Sequence, residues 1–185
     1  MTDFYYELSW KAAFKAYSLK QFVKDSIIPS VLAIAFLVLS FVQRELSLAT
    51  MIVKVSDMMI VLLPVFISIL IAAFAIWISF FLSNTIDFIK KSEEGKGLLN
   101  ELNASFLIEI SFSIIGILFT ISVLFIAGMG FFIDDKYALV VNTIVLFILL
   151  FICFAVIWWL IYIAKNLHNI AKFTILYERI KNSGK

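Results

Sequence analysis

Residues 137–164 read YALVVNTIVLFILLFICFAVIWWLIYIA, twenty-eight consecutive residues without a charged side chain. An α-helix rises about 1.5 Å per residue, so roughly twenty apolar residues cross the hydrocarbon layer of a bilayer. The stretch exceeds that length, and its apolar residues are continuous rather than alternating with polar ones. This pattern favours a membrane-spanning helix over a strand of a β-barrel.

Three further apolar stretches precede it along the chain. They cover about residues 26–42, 58–82 and 106–133. The first is short for a span, whereas the others are long enough to tilt or to extend beyond the hydrocarbon. The sequence therefore predicts an all-α, polytopic membrane protein with four transmembrane helices in one bundle. Residues 1–185 are expected to form a single membrane domain.

The composition of the whole chain indicates the same class. Hydrophobic residues make up 63% of the 185 residues and charged residues 15%, against about 45–50% and about 25% in soluble domains. The mean hydropathy is +1.07. So few charged side chains cannot form the polar shell that a small soluble protein needs. The composition excludes a soluble domain, a disordered tail and a secreted disulfide scaffold.

Lysine and arginine are distributed unequally between the two sides of the predicted bundle. Twelve lie before the first span, between the second and third spans, or after the fourth, and three lie in the two other loops. Short segments rich in basic residues stay in the cytoplasm. Both termini are therefore predicted to be cytoplasmic.

The segments outside the spans differ in character. Residues 1–25 mix aromatic residues with lysines, which is typical of a helix in the membrane interface, although loosely ordered flanking residues fit the same pattern. Residues 43–57 are half apolar, and we expect them to lie on the outer leaflet or to cap the bundle. Residues 93–97 (EEGKG) predict a turn at the tip of the inner loop. Residues 165–185 are predicted to continue the fourth span as a cytoplasmic helix.

No pattern of residues points to catalysis or to a cofactor. The chain lacks a phosphate-binding loop, an HExxH zinc motif, a nucleophile elbow and a dinucleotide fingerprint. Its single cysteine, Cys153, lies within the fourth span, and its single histidine, His168, lies beyond the end of that span. This separation argues against a nucleophilic pair and against a metal site within one chain. The sequence predicts a non-enzymatic protein with no catalytic residue, no metal and no cofactor.

Small and polar residues recur at helical spacing in the second and third spans. Helices in lipid associate where small residues let their backbones approach and where polar side chains meet. The candidates for helix packing or for an oligomer interface are Ser68, Ala72, Ala75, Ser79, Ser113, Gly116 and Thr120. Packing within one bundle, an interface between subunits and the wall of a water-filled path all fit this pattern.

Two polar residues are candidates for buried positions. Glu109 is the acidic residue within an apolar run, about three residues inside the predicted cytoplasmic edge, and a carboxylate at membrane depth is costly. We expect it to pair with a lysine or a backbone amide at that boundary; a ring of such acids in an oligomer is the alternative. Asn142 predicts a hydrogen bond between helices or a polar group in a pore. Trp159 and Tyr162 are typical of the aromatic belt at a membrane surface.

Basic residues follow the fourth span at helical spacing. Lys165, His168, Lys172 and Arg179 are three, four and seven residues apart, so one continuous helix carries them on a single stripe. Such a stripe fits the anionic lipid headgroups of the inner leaflet. It also fits a docking surface for a cytosolic protein or, through weakly specific attraction to phosphate, a nucleic acid. Of these two partners the sequence favours a protein, and we do not expect direct nucleic-acid binding.

These features leave two functions open. A non-enzymatic membrane subunit would self-associate and use its cytoplasmic segments to hold or sense a cytosolic partner. A pore-forming or membrane-permeabilising channel would use the small-residue stripes and a hydrophobic gate that opens when it is wetted. A secondary transporter is disfavoured because coupled exchange usually needs ionisable groups at mid-membrane.

The layout of the chain resembles the four-span membrane subunits of bacterial anti-phage systems, such as the Kiwa membrane protein. It is also similar to the four-span accessory proteins beside some CRISPR loci. The resemblance covers the whole chain and rests on its size, four helices, cytoplasmic termini and the basic tail KNLHNIAKFTILYERIKNSGK at residues 165–185. It implies a multi-pass homo-oligomer in the bacterial inner membrane that acts with a cytosolic effector in antiviral defence.

Overall fold

The computed structural model describes residues 19–42, 47–81, 93–129 and 138–183, and these ranges contain no strand. They form four α-helices: α1 (Leu19–Val42), α2 (Leu48–Phe81), α3 (Glu93–Gly128) and α4 (Ala138–Ser183). Each helix holds a segment long and apolar enough to cross a membrane, and these segments are Lys20–Val42, Leu48–Ser79, Leu102–Gly128 and Ala138–Asn169. The chain is an all-α, four-helix protein of the multi-pass membrane class.

Two segments that the sequence predicts as non-helical belong to helices. α2 begins at Leu48, so most of the segment 43–57 is helical, and Ser56 within it is fully buried. Lys54 and Asp57, the described charged residues of this segment, are exposed on the outer face of the helix, where they do not interrupt it. α3 begins at Glu93, so the turn predicted at residues 93–97 is wrong. Acidic residues at the first positions of a helix interact favourably with the helix dipole, which offsets the low helix propensity of the two glycines that follow.

α4 lies at the centre of the bundle. It packs against each of the other three helices, α2 and α3 also pack on each other, and α1 packs chiefly on α4. The apolar segment of α4 is 44% buried, whereas that of α1 is 11% buried. α3 runs antiparallel to both α2 and α4. Phe106 lies beside Phe74, whereas Gly116, further along α3, lies beside Leu63 and Ile152.

Apolar side chains fill the interior of the bundle in two clusters. The larger cluster includes Ala33 of α1 and Leu149 of α4, both fully buried, together with residues of α2 and α3. The smaller cluster lies toward the end of the bundle where α3 begins, and it contains Trp77, Phe106 and Ile163. Together the clusters hold each helix in its place around α4.

At Gly116 the backbone of α3 comes close to side chains of two neighbouring helices. A Cβ atom at this position would lie 2.7 Å from Cγ2 of Ile152 on α4 and 3.5 Å from Cδ1 of Leu63 on α2. The shorter distance is below van der Waals contact, so any larger residue requires a neighbour to move. Glycine at this position lets three helices meet, as is typical of packing in membranes.

The two ends of the predicted domain are described in part. Residues 1–18 of the predicted interfacial segment lie outside the described residues, and residues 19–25 form the first turns of α1. At the other end, α4 continues past Ala164, the predicted end of the fourth span, and remains one helix as far as Ser183.

Candidate functional site

Polar and small residues form a buried row along one face of α3. Ser105, Glu109, Ser113, Gly116 and Thr120 follow one another at spacings of four, four, three and four, and all five are buried. From the first to the last they span fifteen residues, or about 22 Å along the helix axis. Because this face contacts α2 and α4 at Gly116, the row runs through the interior of the bundle.

Glu109 lies at the contact between α3 and α4. Its pocket is lined by Ser105, Ile108, Glu109, Trp159, Tyr162 and Ile163. The residue is 1% exposed, and neither carboxylate oxygen has a hydrogen-bond partner among the residues that the structure describes. The pocket encloses about 10 Å³, which is room for one species the size of a water molecule.

This position of Glu109 differs from the predicted one. Glu109 is 1% exposed and enclosed by the bundle, rather than placed at a boundary where its side chain reaches the surface. The expected pairing with a lysine or a backbone amide does not occur within the described part of the chain. The carboxyl group lines a pocket inside one copy, where Trp159, Tyr162 and Ile163 of α4 pack against this side of α3.

Trp159 forms the aromatic wall of this pocket. The centre of its ring lies 4.9 Å from that of Phe112 on α3 and 5.8 Å from that of Phe22 on α1. The residue is 5% exposed, and its indole Nε1 has no hydrogen-bond partner among the described residues. The aromatic-belt interpretation is therefore wrong for Trp159, which instead holds α1, α3 and α4 together.

Sequence reasoning did not identify Ser105, Trp159 and Tyr162 as residues of one site. Ser105 shares a helix face with Glu109, and Trp159 shares one with Tyr162, because their spacings are four and three. These faces meet because the antiparallel register of α3 and α4 places both pairs at the same level of the bundle. The missing signal was this register, which spacing within a single helix cannot provide.

The predicted small-residue candidates of α3 all lie inside the bundle. Ser113 and Thr120 are fully buried, and Gly116 is buried between them. The Thr120 hydroxyl donates a hydrogen bond to the backbone oxygen of Gly116 at 2.8 Å. The Ser113 hydroxyl has no hydrogen-bond partner among the described residues. This set packs within one copy of the chain.

The predicted small-residue candidates of α2 lie on the outer surface. Ser68, Ala72, Ala75 and Ser79 are all exposed. The hydroxyls of Ser68 and Ser79 donate hydrogen bonds to the backbone oxygens of Pro64 and Ala75, each at 2.9 Å. Their polar groups are thus satisfied within α2, and the small residues leave a shallow face that points away from the bundle.

The other buried polar candidate, Asn142, lies near the first turn of α4. It is 2% exposed, so its side chain is enclosed by the bundle. The Glu109 end of the polar row and Asn142 lie toward different ends of α4, because Ser105 and Glu109 contact the level of Trp159. Its predicted hydrogen bond between helices stays a prediction.

The basic candidates lie along an exposed stripe of α4. Lys165, His168 and Lys172 are all exposed. Ile161 and Ile175, at 57% and 55% exposure, extend this stripe at both ends with spacings of four and three. We call these five residues the α4 stripe. The side chain of Arg179, the fourth basic candidate, lies outside the described residues.

The single cysteine and the single histidine are far apart on the same helix. Cys153 is buried, whereas His168 is exposed and lies fifteen residues further along α4, or about 22 Å away along the axis. In the described ranges, no three side chains of histidine, cysteine, aspartate or glutamate come together. Cys153 and His168 are thus too far apart on α4 to act together as nucleophile and base.

No protein-family model, curated protein or solved structure matches the chain. Its function has to be inferred from its own residues and from their placement.

Proposed function

We propose that the chain is a non-enzymatic integral membrane subunit that holds a cytosolic protein at the membrane through the C-terminal part of α4. The observation that carries this proposal is the continuity of α4, which is one helix from Ala138 to Ser183. The same helix packs on the three others at the centre of the bundle. A partner bound to its end is thereby connected directly to the membrane core.

The α4 stripe has the chemistry of a docking surface. Beyond Ala164, where the sequence predicts the end of the fourth span, nineteen more residues carry the helix on to Ser183, or about 28 Å further. Lys165 lies at the level of anionic headgroups, whereas Lys172 and Ile175 lie past the end of the span. An exposed isoleucine next to exposed lysines suits a partner with an apolar groove bordered by acidic residues.

The proposed setting is the inner membrane of a bacterium, with both termini in the cytoplasm and several copies in one assembly. The unequal distribution of lysine and arginine supports the orientation. The likeness in layout to four-span anti-phage subunits supports the membrane, the oligomer and a role in antiviral defence. Anionic lipids of the inner leaflet are then a second partner of the stripe.

The outward face of α2 favours a second candidate function, a channel between copies of the chain. In the described ranges, apolar clusters and the buried polar row of α3 occupy the interior of one copy, so a water-filled path would have to run between copies. Ser68 and Ser79 lie on the exposed side of α2 and would line or border such a path. Apolar residues around them would provide a hydrophobic gate.

Charge reversal on the α4 stripe tests the docking function. The variant combines Lys165→Glu with Lys172→Glu in the tagged, full-length protein, purified in mild detergent. We expect it to lose the cytosolic protein that copurifies with the wild type, because repulsion replaces attraction at the docking surface. Its thermal stability should be unchanged because both side chains are exposed. Lys54→Glu, an exposed lysine in the first turns of α2, is the matched control and should keep the partner.

Vesicle experiments separate the alternatives. If the charge-reversed protein keeps its partner and loses only its preference for anionic over neutral vesicles, the stripe binds lipid and the docking function is wrong. Release of trapped dye from liposomes by the purified wild type favours the channel. Liposomes that stay tight at every protein density exclude it.

A further inference from the structure

We propose that the pocket around Glu109, between α3 and α4, binds one monovalent cation, either a proton or an alkali-metal ion. This inference does not depend on the docking function, because the α4 stripe lies on the exposed side of the helix. The pocket is inside the bundle and its residues face one another across the helix contact.

The carboxyl group of Glu109 requires a positive partner. It is 1% exposed, and both of its oxygens lack a hydrogen bond among the described residues. An ionised carboxylate without a partner in an apolar interior is among the most unfavourable arrangements in a folded protein. No basic side chain lines the pocket, so the positive charge is not supplied by the described residues. A bound cation supplies it.

The remaining lining fits a single small cation. Ser105 and Tyr162 bring hydroxyl oxygens to the same pocket as the carboxylate, and oxygen atoms are the ligands of hard cations. One carboxylate balances one positive charge, which favours a monovalent ion over a divalent one. Trp159 also lines the pocket, and indole rings attract cations electrostatically. The enclosed volume of about 10 Å³ limits the occupant to one water-sized species.

The charged groups on the helices packed around the pocket are directed elsewhere. On α1, which reaches Trp159 through Phe22, Lys24 is exposed and Asp25 accepts a hydrogen bond from Gln21. On α4, Lys165 and His168 are exposed. The described charged residues of α2, Lys54 and Asp57, lie at the opposite end of the bundle. Tyr162 is therefore the second titratable group that lines the pocket.

The polar row of α3 continues beyond the pocket. Ser113 lies one helical turn further into the span, is fully buried, and has a hydroxyl without a hydrogen-bond partner in the described ranges. Glu109 thus lies between Ser105 and Ser113 in a line of buried polar residues rather than alone among apolar side chains.

Labelling with dicyclohexylcarbodiimide tests the proposal. This lipophilic reagent reacts with protonated carboxyl groups: the carboxyl oxygen adds to the central carbon, the proton moves to a reagent nitrogen, and an acyl shift leaves a stable N-acylurea that retains the whole reagent. The full-length protein in liposomes is labelled in sodium-free buffer at acidic pH, and the modified peptide is identified by mass spectrometry. We expect the adduct at Glu109 and its loss in Glu109→Gln.

Two series of conditions distinguish the occupants. If an alkali-metal ion binds, labelling of Glu109 falls about tenfold when the sodium concentration reaches about ten times its dissociation constant, with choline holding the ionic strength constant. Ser105→Ala should then raise the sodium concentration needed for protection. If a proton alone binds, labelling falls with rising pH and does not respond to sodium. Labelling that responds to neither variable overturns the proposal.

Thermal unfolding provides a readout that does not depend on access of the reagent. Wild-type stability in detergent should change with pH or with sodium, and Glu109→Gln should remove that dependence while still folding, because the amide has the shape of the carboxyl group. Asp57→Asn is the matched control, since Asp57 is exposed on α2, and it should keep the wild-type dependence. Equal dependence in the wild type and in Glu109→Gln, together with an unlabelled Glu109 in sodium-free acidic buffer, contradicts the cation site.

Discussion

Gly116 and Glu109 lie on the same face of α3 but depend on different features of their surroundings. Gly116 must be small, because its Cβ position lies 2.7 Å from Cγ2 of Ile152. Two turns away, Glu109 lies in a pocket with no basic residue in its lining. In our proposal, this carboxyl group needs a cation as its partner. Gly116 is enclosed by α2 and α4, and α4 also covers the pocket of Glu109. The packing that makes α3 fit its place is therefore also what isolates the carboxyl group from water.

We predict that Gly116→Ala destabilises the bundle. Overpacking costs about 1–3 kcal/mol, and the better helix propensity of alanine returns about 1 kcal/mol, so a net loss of about 1 kcal/mol is expected. Unfolding by heat or by denaturing detergent measures it. Gly128→Ala is the matched control, because nothing lies within 4 Å of a Cβ atom there. A Gly116→Ala protein as stable as the Gly128→Ala protein contradicts the close contact.

The same contact predicts coupling between residues 116 and 152. Ile152→Ala alone leaves a cavity and should cost about 2–5 kcal/mol. The added methyl group of Gly116→Ala occupies part of that space, so the double variant should be more stable than the sum of the single effects indicates. Additive effects within about 0.5 kcal/mol would show that the two side chains do not share space.

Among the helices, α4 and α1 have unlike roles. α4 contacts all three partners, whereas α1 is held chiefly by α4. The contact of α1 includes Phe36 against Phe154, with ring centres 5.2 Å apart. Helices that follow each other in sequence are often neighbours, yet α1 packs on the last helix of the chain rather than on α2. The connection between the first two helices is thus not the contact that positions α1.

Cysteine cross-linking checks this arrangement. In a protein with Cys153→Ala, the pair Phe36→Cys and Phe154→Cys should be joined within one chain by a short bifunctional thiol reagent, because the two native rings are in contact. The pair Phe36→Cys and Val65→Cys is the control at the same depth on α2, since Leu63 and Ile152 lie level beside Gly116. It should stay uncross-linked within one chain. The reverse result would place α1 against α2.

The exposed surface of the bundle includes two faces that our proposal uses. One is the face of α2 with Ser68, Ala72, Ala75 and Ser79, and the other is the α4 stripe. Small residues on an outward face permit close approach of another helix in lipid. The distribution of lysine and arginine predicts that the α4 stripe lies at the cytoplasmic side. Self-association and partner binding therefore use different faces in our proposal.

Enlarging the α2 face tests self-association. Ala72→Leu combined with Ser79→Leu should reduce the subunit count measured by native mass spectrometry or cross-linking, because the added side chains keep a second helix at a distance. Ser122→Leu is the matched control on the exposed side of α3. All three proteins should unfold alike, since each changed residue is exposed. An unchanged subunit count in the double variant removes the α2 face from the interface.

Labelling of introduced cysteines tests the orientation. In a protein with Cys153→Ala, a cysteine at position 172 should react with a membrane-impermeant maleimide only after the cells are opened, because Lys172 is predicted to be cytoplasmic. A cysteine at position 54, an exposed site in the first turns of α2, should react in intact cells. The opposite pattern would invert the orientation and with it the location of the docking surface.

The sequence predicts most of the architecture, but it does not predict which face of each helix is buried in the bundle. Long apolar runs such as residues 137–164 predict four helices in lipid because the cost of exposing polar backbone there leaves few alternatives. The helix ends are less well predicted: charged residues at 43–57 and glycines at 93–97 favour loops locally, yet both segments join helices whose neighbours cover one side.

The small-residue sets of α2 and α3 show the same limit most clearly. Both have helical spacing and similar composition, so the amino-acid sequence alone does not distinguish them. Packing turns Ser113, Gly116 and Thr120 inward and leaves Ser68, Ala72, Ala75 and Ser79 outside. In water the hydrophobic effect would separate an inner from an outer face, but lipid is as apolar as the interior of the protein. Which face is buried, and hence that Glu109 shares a pocket with Trp159, depends on the register in which helices distant in sequence meet.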